Sequence, residues 1–327
     1  MIKRQRDYPL SALILEALLR RLPPDHEKKK WIEKDLQKIV VGFRGEQSLD
    51  YYLNFLEHDT YLIFHDVRLP IHNHHFQMDS LIISSHFIFI LEIKNLYGKI
   101  TFDPQFNQLI RDYNDVKEVF PDPVIQVENH KQQLRKWLHQ YNFTVPIYTS
   151  VVISNPKTII QANTTNQDYL QKIIRSTNIV STITKTAKKH PNPVLSDKDL
   201  RKITRLVLKQ HAHLHKNELK KYQLTEEELL RGVRCPKCDH IPLTKKGKLW
   251  ICCKCSYQGT DAIIHSLFDY YLIVRPTITN AQLRKFFELS STSISAKLLS
   301  SLKLPRTGST KNIQHHLSRD YFESKIR

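Results

Sequence analysis

Glycine is scarce, with seven in 327 residues, and none of them builds a Gly-rich phosphate loop. That argues against a dinucleotide-binding fold. No apolar run approaches the roughly 18–20 residues of a membrane span, so no spanning helix is expected. The opening MIKRQRDYPLSALILEALLRRLPP has a basic start and a short apolar patch, which Glu16 interrupts and no small-residue cleavage site follows. A signal peptide is therefore not expected, and the chain reads as cytoplasmic. Acids are in deficit, 32 Asp and Glu against 50 Lys and Arg, for a net charge of +18. Such an excess attracts polyanions through counterion release, nucleic acid above all. A basic protein without that partner is the plainer alternative. The five cysteines all fall between 235 and 255. A secreted disulfide framework would spread them along the chain, whereas a cluster points to metal.

Hydrophobic periodicity divides the chain. Residues 1–40 read as a basic helical segment, with an amphipathic helix over 10–22 that Pro23 and Pro24 end. Residues 41–190 mix helices and strands. GEQSLDYYLNFL reads as a helix with Leu49, Leu53 and Leu56 at helical spacing, and YLIFHDVRL (61–69) as a strand. DPVIQVENHKQQLRKWLHQY (122–141) reads as a helix with Val127, Leu134 and Leu138 on its apolar stripe, and PIYTSVVIS (146–154) as a buried strand. Residues 191–232 are charged and helical, a candidate connector. A cysteine module occupies 233–260 and a basic helical tail 261–327. HNHH (72–75) and HAHLH (211–215) lack matched cysteine or acid partners and read as surface residues.

The stretch QMDSLIISSHFIFILEIKN (77–95) places three charges in β-branched and aromatic sequence. Two apolar runs separated by Ser84, Ser85 and His86 predict a hairpin. If the turn is centred on Ser85-His86, opposed residues sum to 171 and Asp79 faces Glu92, their Cβ atoms about 4.5–5.5 Å apart. Alternation then puts Ile88, Ile90, Glu92 and Lys94 on one face, with Phe87, Phe89, Leu91 and Ile93 on the other. Facing carboxylates repel, and a divalent cation between them relieves the repulsion. Hard oxygen ligands suit Mg2+ or Mn2+. Such an ion polarises a phosphodiester and lowers the pKa of a water, which Lys94 can orient. The alternative is that Asp79 caps a strand end while Glu92 and Lys94 form a solvated edge pair.

GFRGEQSLDYYL, QMDSLIIS, FILEIKNLYGKI and DPVIQVENH, in that order, resemble the nuclease-related domain (NERD) family, itself related to the PD-(D/E)XK nucleases. The resemblance covers roughly 40–155. It implies an α/β, restriction-endonuclease-like core, a mixed sheet flanked by helices. It also implies Asp79 and Glu92 as metal ligands, Lys94 as the catalytic lysine, Glu46 as the upstream acid and Gln126 as a polar position on the later helix. Glu46 is equally readable as a helix-start capping residue. Met78 stands where the family often has proline, and Asp122 where it commonly has asparagine.

Cys235-x2-Cys238 and Cys252-x2-Cys255 are two knuckles 13 residues apart, suited to a structural Zn2+. IPLTKKGKLWI between them suits a β-hairpin, and the whole looks like a zinc ribbon. Asp239 and Ser256 occupy the positions after each knuckle where φ turns positive. Cys253 is left over; a C-x-C arrangement using it in place of Cys252 fits a knuckle less well. In the tail, Leu283, Phe286, Phe287 and Leu289 predict one helix, and Ile294, Leu298, Leu299 and Leu302 a second. Residues 277–319 hold seven Lys and Arg against one acid. That layout suits a helix-turn-helix with Ser293, Ser295 and Lys297 near the start of the recognition helix. A small helical interaction module is the alternative.

The sequence thus predicts a Mg2+-dependent nuclease acting on DNA, most naturally duplex, anchored by a zinc ribbon and a basic tail. A non-catalytic DNA-binding or regulatory protein on the same fold is the second reading, and an RNA-processing factor the third.

Overall fold

The period-two alternation of 61–94 folds as a sheet whose two faces bury different partners. The structure is a computed structural model that describes residues 1–212, 217–309 and 312–326. Its contacts divide the chain into two units, Met1–Pro9 with Lys38–Leu214, and Leu10–Gln37 with His215–Arg327.

The chain opens with β1 (Ile2–Arg4), α1 (Leu10–Arg21) and α2 (Lys29–Leu53). Then come β2 (Leu62–Ile71), β3 (His74–Ile83), β4 (Ile88–Lys94), β5 (Lys99–Asp103), β6 (Gln108–Tyr113), β7 (Val116–Pro121) and α3 (Pro123–His139). The first unit ends with β8 (Ile147–Ile153), β9 (Ile159–Ala162), α4 (Gln167–Leu170), β10 (Ile173–Arg175), α5 (Ile179–Lys189) and α6 (Asp197–Gln210). Its main sheet has the order β1-β2-β3-β4-β8-β10, and a second sheet has the order β7-β6-β5-β9. The main sheet is mixed. β2, β3 and β4 run antiparallel, while β1 on β2, β8 on β4 and β10 on β8 run parallel.

The hairpin register is the one predicted: Ser80 pairs with Leu91, Leu81 with Ile90, Ile82 with Phe89 and Ile83 with Ile88. Ile88 and Ile90 pack with Val127 and Leu134 of α3 on one side. Phe87, Phe89, Leu91 and Ile93 pack with Leu49 and Leu53 of α2 on the other. A one-residue slip would exchange these faces, so burial on both sides fixes where Glu92 points.

Two expected boundaries move. The division expected at 40/41 falls inside α2, and residues 1–9 belong with the sheet. Within the expected connector, α6 joins the sheet's core through Ile203 and Val207, both buried. Its start is fixed by a capping box between Ser196 and Asp199. Residues 213–216, which include two histidines of HAHLH, lie outside the described residues. His211 Nδ1 accepts a hydrogen bond from Arg68 N at 3.2 Å.

The second unit continues with α7 (Glu218–Lys221), β11 (Thr244–Lys246), β12 (Leu249–Ile251), β13 (Gln258–Gly259), α8 (Ala262–Ile273), β14 (Thr277–Ile278), α9 (Asn280–Phe287), α10 (Thr292–Ser301), β15 (Arg306–Thr307), β16 (Gln314–His316) and α11 (Arg319–Ile326). The predicted ribbon hairpin is β11 and β12, turning at Gly247 with φ 59°. The tail is mainly helical, but it also holds a three-stranded sheet of order β14-β16-β15. Strands of two or three residues carry too little periodicity to be read from sequence.

In the tail, α9 and α10 form at the predicted places, and Leu283, Phe286 and Phe287 are buried. The facing of α10 differs from expectation. Ser295 is fully buried, its Oγ donating to Ser291 O at 2.9 Å, while Ile294 is 45% exposed. The cause is the cap: Ser291 accepts from Ile294 N, which starts the helix so that Ser295 and Leu299 face inward. Ser295 is thereby removed from any surface role. Among the described residues no helix is long and apolar enough to cross a membrane.

Candidate active site

Glu92 leaves β4 on the α3 side of the sheet and is 3% exposed. Its Oε1 accepts from Lys94 Nζ at 2.7 Å, and Lys94 also donates to Gln126 Oε1 at 3.2 Å. Alternation sends Lys94 to the same face as Glu92. The start of α3 supplies Gln126. Asp122 caps that helix by accepting from Val124 N at 2.7 Å, with Pro123 at the first helical position. Asparagine is thus not required there; any short side-chain acceptor serves. Asp79 lies one step beyond the last β3–β4 pair, in line with Glu92, and its Oδ2 accepts from Ile93 N at 2.8 Å.

Beside the Lys94–Glu92 pair, Glu92 Oε2 and His130 Nδ1 are both buried without a hydrogen-bond partner, 3.7 Å apart. His130 follows Gln126 by one helical turn, so both reach the same spot. A buried carboxylate oxygen left unpaired is costly unless a cation or water completes it. Burial, and then the charge of Asp79, push the Glu92 carboxyl up against the pull of Lys94. The donor set is hard oxygen, and Asp79 is the cross-strand neighbour of Glu92, so these residues fit Mg2+ or Mn2+.

Glu46 arrives from α2. Gly45, the residue before it, lets the helix run against Asn95, the residue after Lys94. A Cβ at Gly45 would come within 2.2 Å of Asn95 Cβ. Asn95 Nδ2 in turn donates to Val41 O at 2.8 Å. We therefore expect Gly45→Ala to push α2 off β4 and cost about 1–3 kcal/mol of stability, the usual range for overpacking, although alanine is the better helix former. Denaturant unfolding of the variant checks this, and a neutral or stabilising result would contradict the close approach.

Four further groups join the site that the sequence did not reveal. Arg6, 3% exposed, donates to Glu46 Oε2 at 2.7 Å and Ser80 Oγ at 3.1 Å, and its Nη2 lies 2.9 Å from His65 Nδ1 and 3.4 Å from Asp50 Oδ1. His65 is buried and neutral, held down to about 3 by burial and then by Arg6 and Arg4. Asp66 continues the carboxylate row onto β2. The pairs His65–Ser80 and Val67–Met78 flank it and put it opposite Asp79, and its φ is +50°. The signal for Asp66 was present, because the β2–β3 register predicts it once the turn at His72 is placed. Arg6, His65 and Asp50 meet only through tertiary contacts and leave no local mark.

Burial followed by Asp79 also raises the Glu46 carboxyl. Without divalent cation, each of these two carboxyls binds its proton more tightly in the folded protein than in the unfolded chain. Both carboxyls are pushed to about 8 from an ordinary 4.5. Stability must then fall as pH rises through this interval. His65 acts in the opposite sense only below about 6.5, the ordinary histidine value. Between about pH 6.5 and 8 each glutamate lowers stability as pH rises, by up to about 1.4 kcal/mol per pH unit. Mg2+ favours the ionised carboxylates, so its stabilising effect should grow over the same interval. Melting curves with and without Mg2+ at the two ends test this; an effect of Mg2+ independent of pH contradicts it.

The cysteines form a separate centre. Among the described residues, Cys235, Cys238, Cys252 and Cys255 are the one set of three or more His, Cys, Asp or Glu whose ligand atoms all approach within 4.8 Å. Cys235 Sγ lies 3.6 Å from Cys255 Sγ, and Cys238 Sγ lies 3.5 Å from Cys252 Sγ. A disulfide needs about 2 Å, whereas a tetrahedral zinc with Zn–S near 2.3 Å puts its sulfurs about 3.8 Å apart. Asp239 and Ser256 take the positive φ expected after each knuckle, 60° and 56°. Cys253 stands outside the cluster, exposed, with its Sγ 3.2 Å from His240 Nε2. The four thiols fit Zn2+, which would supply the folding energy that so small a ribbon cannot draw from a core.

Residues 41–154 match the family model of the nuclease-related domain. No curated protein and no solved structure matches the chain. The matched span contains Glu46, Asp79, Glu92, Lys94 and Gln126, and leaves out Arg6 and the cysteines. The chain carries a nuclease-related domain of the NERD family over residues 41–154.

Proposed function

We propose that the protein is a metal-dependent nuclease that hydrolyses phosphodiester bonds of DNA. The observation that carries this reading is Glu92: a buried carboxylate in line with Asp79, salt-bridged to Lys94 at 2.7 Å, with its second oxygen unpaired. Asp79 and Glu92 would hold Mg2+ or Mn2+. Such an ion, when bound, polarises the scissile phosphodiester and lowers the pKa of a water. Lys94, held between Glu92 and Gln126, orients the attacking water and offsets charge that develops on the phosphate oxygens. Gln126 keeps that ammonium in place. Glu46 assists from α2.

The net charge of +18 supplies long-range attraction to the polyanion. Lys237, Lys245, Lys246, Lys248 and Lys254 give the ribbon a basic surface, and α10 with Lys297 presents another. Duplex DNA is the favoured substrate because a helical pair and a ribbon suit groove and backbone contacts. The test is cleavage of labelled duplex DNA, single-stranded DNA and RNA in competition at fixed salt, with and without Mg2+. Mg2+-dependent cleavage of DNA is expected. Tight binding with no cleavage would favour the non-catalytic reading, and preferential cleavage of RNA would favour the processing factor.

A further inference from the structure

We propose that Arg6 is a built-in cation of the acidic site. Its guanidinium takes the place that a second divalent ion would take beside Glu46, so the site loads one divalent cation, at Asp79 and Glu92. This rests on the metal-dependent reading above.

Carboxylates from two strands and a helix, Asp66, Glu92 and Glu46, neighbour Asp79, and such a row could suit two ions. Yet Glu46, Asp79 and Glu92 do not converge as a ligand set within 4.8 Å. Glu46 is turned to Arg6, with Oε2 2.7 Å from Nη1, and Asp50 lies 3.4 Å from Nη2. The same guanidinium donates to Asp79 O at 3.4 Å and Ser80 Oγ at 3.1 Å, which ties it to the strand that bears Asp79. A guanidinium that is 3% exposed is tolerated only where its charge is matched. Here Glu46 and Asp50 match it.

Arginine suits this position because it stays charged at any working pH and its planar fork addresses several acceptors at once. Mg2+ demands near-octahedral oxygen geometry and surrenders its waters reluctantly, so it competes poorly for a carboxylate already engaged by that fork. Parallel pairing of β1 with β2, Ile2 opposite Ile63 and Arg4 opposite Phe64, sets the path that brings Arg6 inward. Arg6 is thus a positioning residue: it holds Glu46 and meets neither substrate nor the reacting atoms.

The test counts ions on the full zinc-loaded chain. Mn2+ is titrated by calorimetry, and the free ion is followed by electron paramagnetic resonance. Wild type is expected to take one Mn2+ beyond its zinc, Arg6→Lys one, and Arg6→Met two, because Glu46 and Asp50 become free to bind. Two ions on wild type overturn the proposal, and so does a folded Arg6→Met chain that still takes one. If Arg6→Met does not fold, Glu46→Gln decides. An unchanged Mn2+ count supports the assignment of Glu46 to Arg6, and loss of the ion overturns it. A wild-type chain that takes no Mn2+ at all refutes the metal-dependent reading itself, whereas two ions refute only the role of Arg6.

Discussion

Glu92→Gln should reduce cleavage by about 10³-fold or more, equivalent to about 4 kcal/mol of barrier, while leaving DNA binding in place. The substitution keeps the volume and the acceptor for Lys94 and removes only the charge. Without that charge, Asp79 alone would hold the divalent cation, and Lys94 would keep only a neutral acceptor in place of its ion-pair partner. A second effect accompanies the loss and runs the other way. Burial and Asp79 make the ionised Glu92 carboxylate unfavourable in the folded chain, so the amide should raise the melting temperature of the cation-free protein near pH 8. Gain of stability together with loss of turnover identifies a residue kept for chemistry. Loss of both would mark Glu92 as a packing residue. Undiminished metal-dependent cleavage by Glu92→Gln would end the active-site assignment.

What could be read from sequence follows the range of each contact. The hairpin was legible because two apolar faces fix its register, and the register alone brings Asp79 and Glu92 together. The cysteine knuckles were legible because ligand spacing within 21 residues is itself the constraint. Arg6 was not, since it meets Glu46 across 40 residues and Ser80 across 74. The facing of α10 was misread because apolar spacing favoured Ile294, whereas the Ser291 cap sets the helix start and turns Ser295 inward. The tail's short strands were missed for want of length. The role of α6 was missed because Ile203 and Val207 are a sparse stripe in a charged helix, and charge was taken as a mark of exposure.

The second large effect concerns a charge cluster away from the acidic site. Asp269 of α8 is fully buried and accepts from Arg21 Nε at 3.1 Å, Arg234 Nε at 2.9 Å and Arg20 Nη2 at 3.0 Å. Burial by itself would raise its carboxyl, but Arg21, Arg234 and Arg20 outweigh it and hold the group below the ordinary value. Arg21 is equally buried. It donates to Gly232 O at 2.8 Å and lies over the Phe286 ring at 5.2 Å. Arg234 bonds both Asp269 and Asp239, the positive-φ residue of the first knuckle. One carboxylate thus joins α1, α8 and the cysteine centre within the second unit. Asp269→Ala would strand buried guanidinium charge and is expected to cost about 3–5 kcal/mol, the range for breaking a buried pair. Because the native carboxyl is depressed, its contribution is present above the ordinary aspartate pKa near 3.8 and is lost as pH falls through the lower native value. Denaturant melts of the zinc-loaded wild type and variant should therefore differ by several kcal/mol at neutral pH and converge in acid. Equal stability of the two at neutral pH would show that the arginines find other partners and that Asp269 is not what holds α1 to the ribbon.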